Sequence, residues 1–272
     1  MKSAITISLV PEARGGPFVY WDDLPAACNK AAALGFDAIE IFAPGPEAID
    51  TKFVKKITSD LGLAVAAVGT GAGWVKHKLH LVQPDESSRR KAIDFIKSII
   101  DMGATLSAPA IIGSMQGRWG DGVENATAFE WIKQALEELG EHADDAGTVL
   151  LYEPLNRYET NMVNTTAAGV ELLASLSTQN VKLLSDLFHM NIEEANIADA
   201  LRLGGYAIGH IHFVDSNRRA AGWGHMDHVP IISALRDINY TGYLCAEAFP
   251  WPDSDGAARQ TIDTFRKLTS LS

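Results

Sequence analysis

Apolar and polar positions follow two rhythms along this chain. In short runs nearly every position is apolar or β-branched: AITISLV at 4–10, FDAIEIF at 36–42, LAVAAVG at 63–69, TLSAPAIIG at 105–113, TVLLYEPL at 148–155, VKLLSDLF at 181–188, IGHIHFVD at 208–215 and GYLCAEAF at 242–249. These runs predict eight strands. Between them apolar residues recur every three or four positions, as at 21–34, at 86–102 (ESSRRKAIDFIKSIIDM) and at 128–146, which predicts amphipathic helices. Gly35, Gly62, Gly103, Gly147 and Gly242 precede five of the strands and are expected to close the helices before them.

Strands apolar on both faces and joined by helices imply parallel pairing, with helices covering the outside. Eight such units in 272 residues fit a closed (β/α)8 barrel, a TIM barrel, better than an open doubly wound sheet. An open sheet would usually carry a glycine-rich phosphate turn after its first strand, and PEARGGPF at 11–18 is neither GxGxxG nor a P-loop. No linker or low-complexity stretch interrupts the rhythm, so residues 1–272 are expected to form one domain.

Charge narrows the partners. Acidic residues outnumber basic ones 34 to 23, a net charge of -11 that repels a phosphate backbone, so nucleic acid is not expected as a partner. No apolar run approaches membrane-spanning length, and the N-terminus lacks a signal-peptide pattern. The two cysteines, Cys28 and Cys245, lie in apolar surroundings and are expected to be buried free thiols in a cytoplasmic protein.

In a barrel of this kind the strand C-termini share one face, so residues distant in sequence meet there. From the fifth predicted strand onward, polar residues concentrate at those ends: Glu153, Asn156 and Arg157; Asp186 and His189; His210, His212, Asp215 and Arg218; Glu247. Glu153 follows VLLY and Glu247 follows YLCA, where an unpaired glutamate would be costly to bury. Two glutamates, an aspartate and one or two histidines on one face make an oxygen-rich site suited to Mn2+, Mg2+ or Co2+.

The stretches YEPLNRYETN, SDLFHMNIEE, HIHFVDSNRRAAGWGHMD and CAEAFPWPDSDGAARQT resemble the ketose 3-epimerases of the tagatose and psicose type, within the xylose isomerase-like sugar phosphate isomerase/epimerase barrels. The resemblance is strongest over 148–265. It implies that Glu153, Asp186, His212 and Glu247 ligate one divalent metal, most simply Mn2+. It further implies that His189, Arg218 and Glu159 contact a small sugar, and that the chain forms a homodimer or homotetramer. The expected chemistry is removal of a proton beside a ketose carbonyl and its return to the other face through a cis-enediolate, with Glu153 and Glu247 as the acid–base pair. Return to the neighbouring carbon would make the same site an aldose–ketose isomerase, and a sugar phosphate or hydroxypyruvate-type isomerase would use it too.

Several other residues carry weaker expectations. His210 is expected to point away from His212, toward the helices, and Glu40 either to reach the mouth as a carboxylate behind the site or to pair with a nearby base. His225 and Asp227 are placed either behind Arg218 or in a plain surface loop. GSMQGRWGDG at 113–122 is either a lid bringing Trp119 onto the sugar or a long loop. Substrate identity is expected to reside in the loops at 11–18, 43–46, 71–79 and 113–123. An endonuclease IV-like metal phosphodiesterase is disfavoured, because AIEIFAPG, AVGTGAG and APAIIGSM supply none of the further histidines such a site needs.

Overall fold

The computed structural model of the chain describes residues 1–270. Its strands are β1 (Lys2–Ser8), β2 (Tyr20–Trp21), β3 (Ala38–Phe42), β4 (Ala64–Gly69), β5 (Ala110–Ile112), β6 (Leu150–Tyr152), β7 (Val181–Asp186), β8 (Ile208–His212) and β9 (Tyr243–Ala246). Its helices are α1 (Leu24–Leu34), α2 (Thr51–Leu61), α3 (Ala72–His77), α4 (Glu86–Thr105), α5 (Asn125–Asp145), α6 (Thr166–Ala174), α7 (Leu187–Glu193), α8 (Ile197–Gly204), α9 (His228–Asp237) and α10 (Ser254–Thr269). All strand pairings are parallel, and β9 returns to pair with β1, which closes the barrel expected from the alternating pattern. No described helix is long and apolar enough to cross a membrane.

One strand was not legible in the pattern. Tyr20 and Trp21 pair with Ile7 and Ser8, along the part of β1 beyond Ile5 where its pairing with β9 ends. Two residues are too few to show a period. Helix ends follow local chemistry. Asp23, Asp50, Asp85, Asp186, Asp227 and Asp253 each accept backbone N–H bonds at an N-terminus, so part of the acidic excess is used in capping. Gly35 and Gly62 close α1 and α2 at φ 78° and 69°, as expected. Gly103 does not close a helix: it lies inside α4, where a Cβ would meet the Ala108 carbonyl oxygen at 2.7 Å and Val68 Cγ2 at 2.8 Å.

Most of the apolar core lies between barrel and helices, and includes Ile39, Ile41, Ile96, Ile100, Leu150 and Leu183, all buried. Two smaller clusters fill the barrel interior. Ala4, Ala38, Ala66 and Cys245 form one, and Ala67, Ile111, Leu151 and Leu184 the other. Side chains two apart on a strand share a face. The positions two residues beyond Ala38, Leu151, Leu184 and Cys245 are Glu40, Glu153, Asp186 and Glu247, so the interior parity of each strand carries its carboxylate to the same end of the barrel. The small residues lower down leave room for more polar groups beneath. Both cysteines are buried free thiols.

Ile96 is fully buried on α4 against the barrel. Ile96→Ala is expected to lower unfolding stability by about 2–5 kcal/mol, as read by urea denaturation of the variant beside the parent.

Candidate active site

Glu153, Asp186, His212 and Glu247 converge at the carboxyl end of the barrel, with one potential ligand atom from each lying within 4.8 Å of all the others. They come from the ends of β6, β7, β8 and β9, the four strands singled out in the sequence. His212 Nδ1 is 3.2 Å from Asp186 Oδ2, 3.5 Å from Glu153 Oε1 and 3.5 Å from Glu247 Oε2. Glu153 Oε1 is buried and has no hydrogen-bond partner among the described residues. Backbone is packed tightly behind it: a Cβ on Gly113 would lie 2.5 Å from Glu153 Oε2, so a larger residue there would displace that carboxylate.

Electrostatics explain what such a cluster lacks. Burial, aided by repulsion from Glu247 and Asp186 and opposed by His212, pushes the Glu153 carboxyl up to about 8. Burial raises Glu247 too, against the attraction of His212 and Arg218. Asp186 goes the other way: burial would raise it, but the Arg218 charge and the His212 hydrogen bond hold it below the usual carboxylate range. Burial would likewise depress His212, yet the facing carboxylates lift it well above its ordinary value. Three carboxylates and an imidazole with an orphaned oxygen at their centre have the donor chemistry of a divalent-cation site.

Glu40 joins the site from β3, across the barrel. Its Oε1 is 3.2 Å from His212 Nε2, and its Oε2 is 2.9 Å from His210 Nε2. Burial alone would raise this carboxyl; the His212 charge and hydrogen bonds from both imidazoles hold it well below the ordinary range. The expected pairing of Glu40 with a base is thus met by two histidines. With Nε2 engaged by the carboxylate, the His212 ring is held with Nδ1 toward the acidic cluster. The expected outward orientation of His210 is corrected here. His210 and His212 are two positions apart, share the interior face and both reach Glu40.

Asp186 ends β7 and caps α7, where its Oδ1 accepts from Phe188 N at 2.7 Å and His189 N at 3.3 Å. His189 is therefore on the first turn of a helix rather than at the end of a strand. Asn156 Nδ2 lies 2.7 Å from His189 Nδ1. Burial keeps this imidazole below its ordinary pKa and thus neutral. Nδ1 then accepts, and Nε2 carries the proton on the side that lines the cavity. Asn156 Nδ2 also donates to Glu159 Oε1 at 2.9 Å.

Arg218 has a left-handed backbone, φ 57°. Its Nη2 bonds Glu247 Oε2 and lies 3.3 Å from Asp186 Oδ2, while Nη1 is 3.3 Å from His189 Nε2. Asp215, missed as a site organiser, shapes this loop: fully buried, it accepts from the backbone N–H groups of Ser216, Gly222 and Met226. Arg219 stacks on Trp251 at 3.9 Å. Asp227 caps α9 and His225 meets Ser216 Oγ at 3.0 Å, so these two belong to the loop and helix start.

The cavity over these groups measures about 290 Å3. Besides the polar floor it has an apolar side that includes Phe18, Phe42 and Val75, with Phe18 and Phe42 stacked at 4.6 Å. Of the loops expected to recognise substrate, 11–18, 71–79 and 113–123 supply lining residues, whereas 43–46 does not. Trp119 is not among the lining residues: its indole N–H donates to the Asn161 carbonyl at 2.9 Å, which pins it in a surface strap. Phe42 was missed, because an aromatic at a strand end is indistinguishable in sequence from core.

Residues 28–268 match the family described as xylose isomerase-like TIM barrel. This chain belongs to that family. Among curated relatives, D-psicose 3-epimerase of Agrobacterium fabrum is 33% identical over 264 residues, covering 94% of this chain and 86% of the relative. L-ribulose 3-epimerase of Mesorhizobium japonicum is 31% identical, covering 84% and 76%. A crystal structure of a D-psicose 3-epimerase in the presence of D-fructose superposes with a TM-score of 0.82 at 27% identity, over 98% of this chain and 99% of that one. The resemblance drawn from the four motifs therefore extends to nearly the whole barrel, including the N-terminal half where the motifs were faint.

Two predictions follow from the charges of this xylose isomerase-like site. Glu153, Glu247 and His212 all hold protons more tightly in the folded chain than in the unfolded one, so the stability they contribute is present at acid pH and lost as pH rises, for Glu153 between its ordinary 4.5 and about 8. His189, His80 and His228, depressed by burial, act in the opposite sense up to their ordinary 6.5, so the Tm of metal-free protein should fall in the upper part of that window, and saturating Mn2+ should flatten the curve; differential scanning calorimetry with and without the ion checks both. Glu40→Gln should weaken Mn2+ binding by about 10–100-fold in calorimetric titration while far-UV circular dichroism stays unchanged.

Proposed function

We propose that this protein is a metal-dependent ketose 3-epimerase, with Glu153, Asp186, His212 and Glu247 holding one divalent cation. The observation that carries this is the meeting of four ligand-type side chains around a buried carboxylate oxygen without a partner, on the floor of a cavity sized for one sugar. The names of the relatives, psicose and ribulose 3-epimerases, support the same substrate class. The mostly carboxylate donor set favours Mn2+, with Co2+ and Mg2+ as alternatives. When bound, the cation supplies polarisation of the ketose carbonyl and the neighbouring hydroxyl, which acidifies the C–H between them.

The chain's own groups do the rest. Glu153 and Glu247 form the acid–base pair: one takes the C3 proton, and the other delivers a proton to the opposite face, inverting the centre. Arg218 and the Nε2–H of His189 donate to the enediolate oxygens, where negative charge develops. Asn156 holds His189 in the required tautomer, and Glu159 contacts the sugar from the rim, where its carboxylate faces Arg218 Nη1 at 3.8 Å. Phe18, Phe42 and Val75 exclude water on the side away from the carboxylates.

Incubation with a panel of ketoses in D2O, followed by NMR at C3 and C1, tests the assignment. Exchange at C3 is expected; exchange at C1 with aldose formation would reassign the site to aldose–ketose isomerisation. Glu247→Gln should slow C3 exchange by at least about 100-fold while still binding Mn2+. Near-parental exchange in that variant would remove Glu247 from the acid–base pair.

A further inference from the structure

Glu153 and Glu247 differ from the other two ligand-type residues in how they are held. Asp186 and His212 are paired with each other in the sheet. Glu153 and Glu247 lie one residue beyond Tyr152 and Ala246, the last residues of β6 and β9. Glu247 is anchored through its carboxylate, which bonds Arg218 Nη2. Glu153 has no such anchor. Its Oε1 is without a hydrogen-bond partner among the described residues, and His212 Nδ1 and His189 Nε2 stand off at 3.5 and 3.8 Å. The position of the Glu153 carboxylate is therefore decided by the backbone it projects from.

The pairing of β5 with β6 ends at Ile112 and Tyr152, and the last main-chain bond between the two strands runs from Glu153 N to the Ile112 carbonyl at 2.9 Å. Next comes Pro154, which has no N–H with which to continue a ladder. Here a side chain takes over. Gln116 Nε2 donates to the Glu153 carbonyl at 2.9 Å and to the Gly113 carbonyl at 3.0 Å. One amide thus joins the ends of both strands and supplies the rung that the main chain no longer makes. The amide is itself fixed in orientation, because its Oε1 accepts from the Tyr152 hydroxyl at 2.8 Å. Both N–H groups and the carbonyl oxygen are used, and Gln116 and Tyr152 are fully buried.

The local turn does not require this amide. Ser114–Gln116 is closed by its own backbone, with Gln116 N donating to the Gly113 carbonyl at 3.1 Å. The flanking loop is tied down separately, by Leu81 N on the Met115 carbonyl at 2.9 Å and by Thr160 Oγ1 on the Gly117 carbonyl at 2.7 Å. Burying a primary amide is costly unless each polar atom is bonded, and an apolar side chain would fill the same space without that demand. What an apolar side chain could not do is hold the main chain of Glu153.

We infer that Gln116 is the positioning residue of Glu153: its amide fixes the main chain that aims the carboxylate, so that Gln116 sets the rate of proton transfer while lying outside the wall of the reaction cavity. The inference rests on the epimerase function proposed above. A misplacement of about 1 Å at a reacting group costs about 100-fold in rate. Arg218 and His189, which bind the sugar, stand on other strands and loops and keep their places when Gln116 is changed.

Two variants test it, by C3 exchange in D2O at saturating Mn2+. Gln116→Met keeps the length of the side chain without the amide; Gln116→Asn keeps the amide but is one methylene short of spanning both carbonyls. Each should lower kcat by about 10–100-fold, leave KM within about twofold, and weaken Mn2+ binding by about tenfold in calorimetric titration. Ile96→Ala, which loses stability through the core, is expected to keep the parental kcat. A Gln116 variant with kcat within about threefold of the parent, or one that raises KM at unchanged kcat, would overturn the inference. So would Ile96→Ala losing as much kcat as the Gln116 variants, or loss of far-UV circular dichroism in both of those variants, which would make the role purely structural. If the parent exchanges no ketose, the epimerase reading falls and the inference is decided by Mn2+ affinity, where equal affinity of the parent and both variants would overturn it.

Discussion

Two buried carboxylates, a partly buried third and a buried histidine, with ligand atoms within 4.8 Å of one another, are the arrangement around which the rest of this barrel is organised. Burial and mutual repulsion oppose it, and the surrounding structure supplies the opposing charge piece by piece. Arg218 reaches Glu247 and Asp186 from a loop folded around Asp215. The first turn of α7 presents two N–H groups to Asp186. What remains after these contributions is a carboxylate oxygen of Glu153 with nothing bound to it, and a cation is the group whose charge and coordination would complete the set.

Beneath this layer, Glu40, His210 and His212 form a second polar tier inside the barrel. Such a tier is affordable only because the interior lower down is built from Ala4, Ala38, Ala66 and Cys245, which leave space that larger residues would fill. On the other side of the interior, Ala67, Ile111, Leu151 and Leu184 pack as an apolar cluster. The barrel is thus asymmetric inside, with its small-residue side set below the carboxylate that orients His212.

Much of this was legible in the sequence. Eight apolar runs separated by helical periods fix a closed parallel barrel, because few other architectures use that alternation. Strand-end polar residues marked the site, since a carboxylate after four apolar residues requires a partner. Three features were not legible. Tyr20–Trp21 is too short a strand to show periodicity. Asp186 as a helix cap depends on where β7 stops, and VKLLSDLF reads smoothly across that boundary. The shared face of His210 and His212 was available from the two-residue strand period, yet the pairing with Glu40 joins residues 170 and 172 positions apart in the chain, a separation no local pattern encodes.

The site also divides along the chain. Glu153, Asp186, His189, His212, Arg218 and Glu247 all come from the second half, whereas Phe18, Phe42, Val75 and Ser114 on the cavity wall come from the first. Proton-transfer groups and the apolar wall are therefore carried on different stretches of one polypeptide, tied together by the closed sheet, by Glu40 on His212 and by Gln116 on the Glu153 carbonyl. Phe18, Phe42 and Val75 can be exchanged without touching a proton-transfer group, whereas Gly113 and Gln116 hold Glu153 and cannot, so a lineage built on this plan can change the molecules it accepts while keeping the reaction it performs.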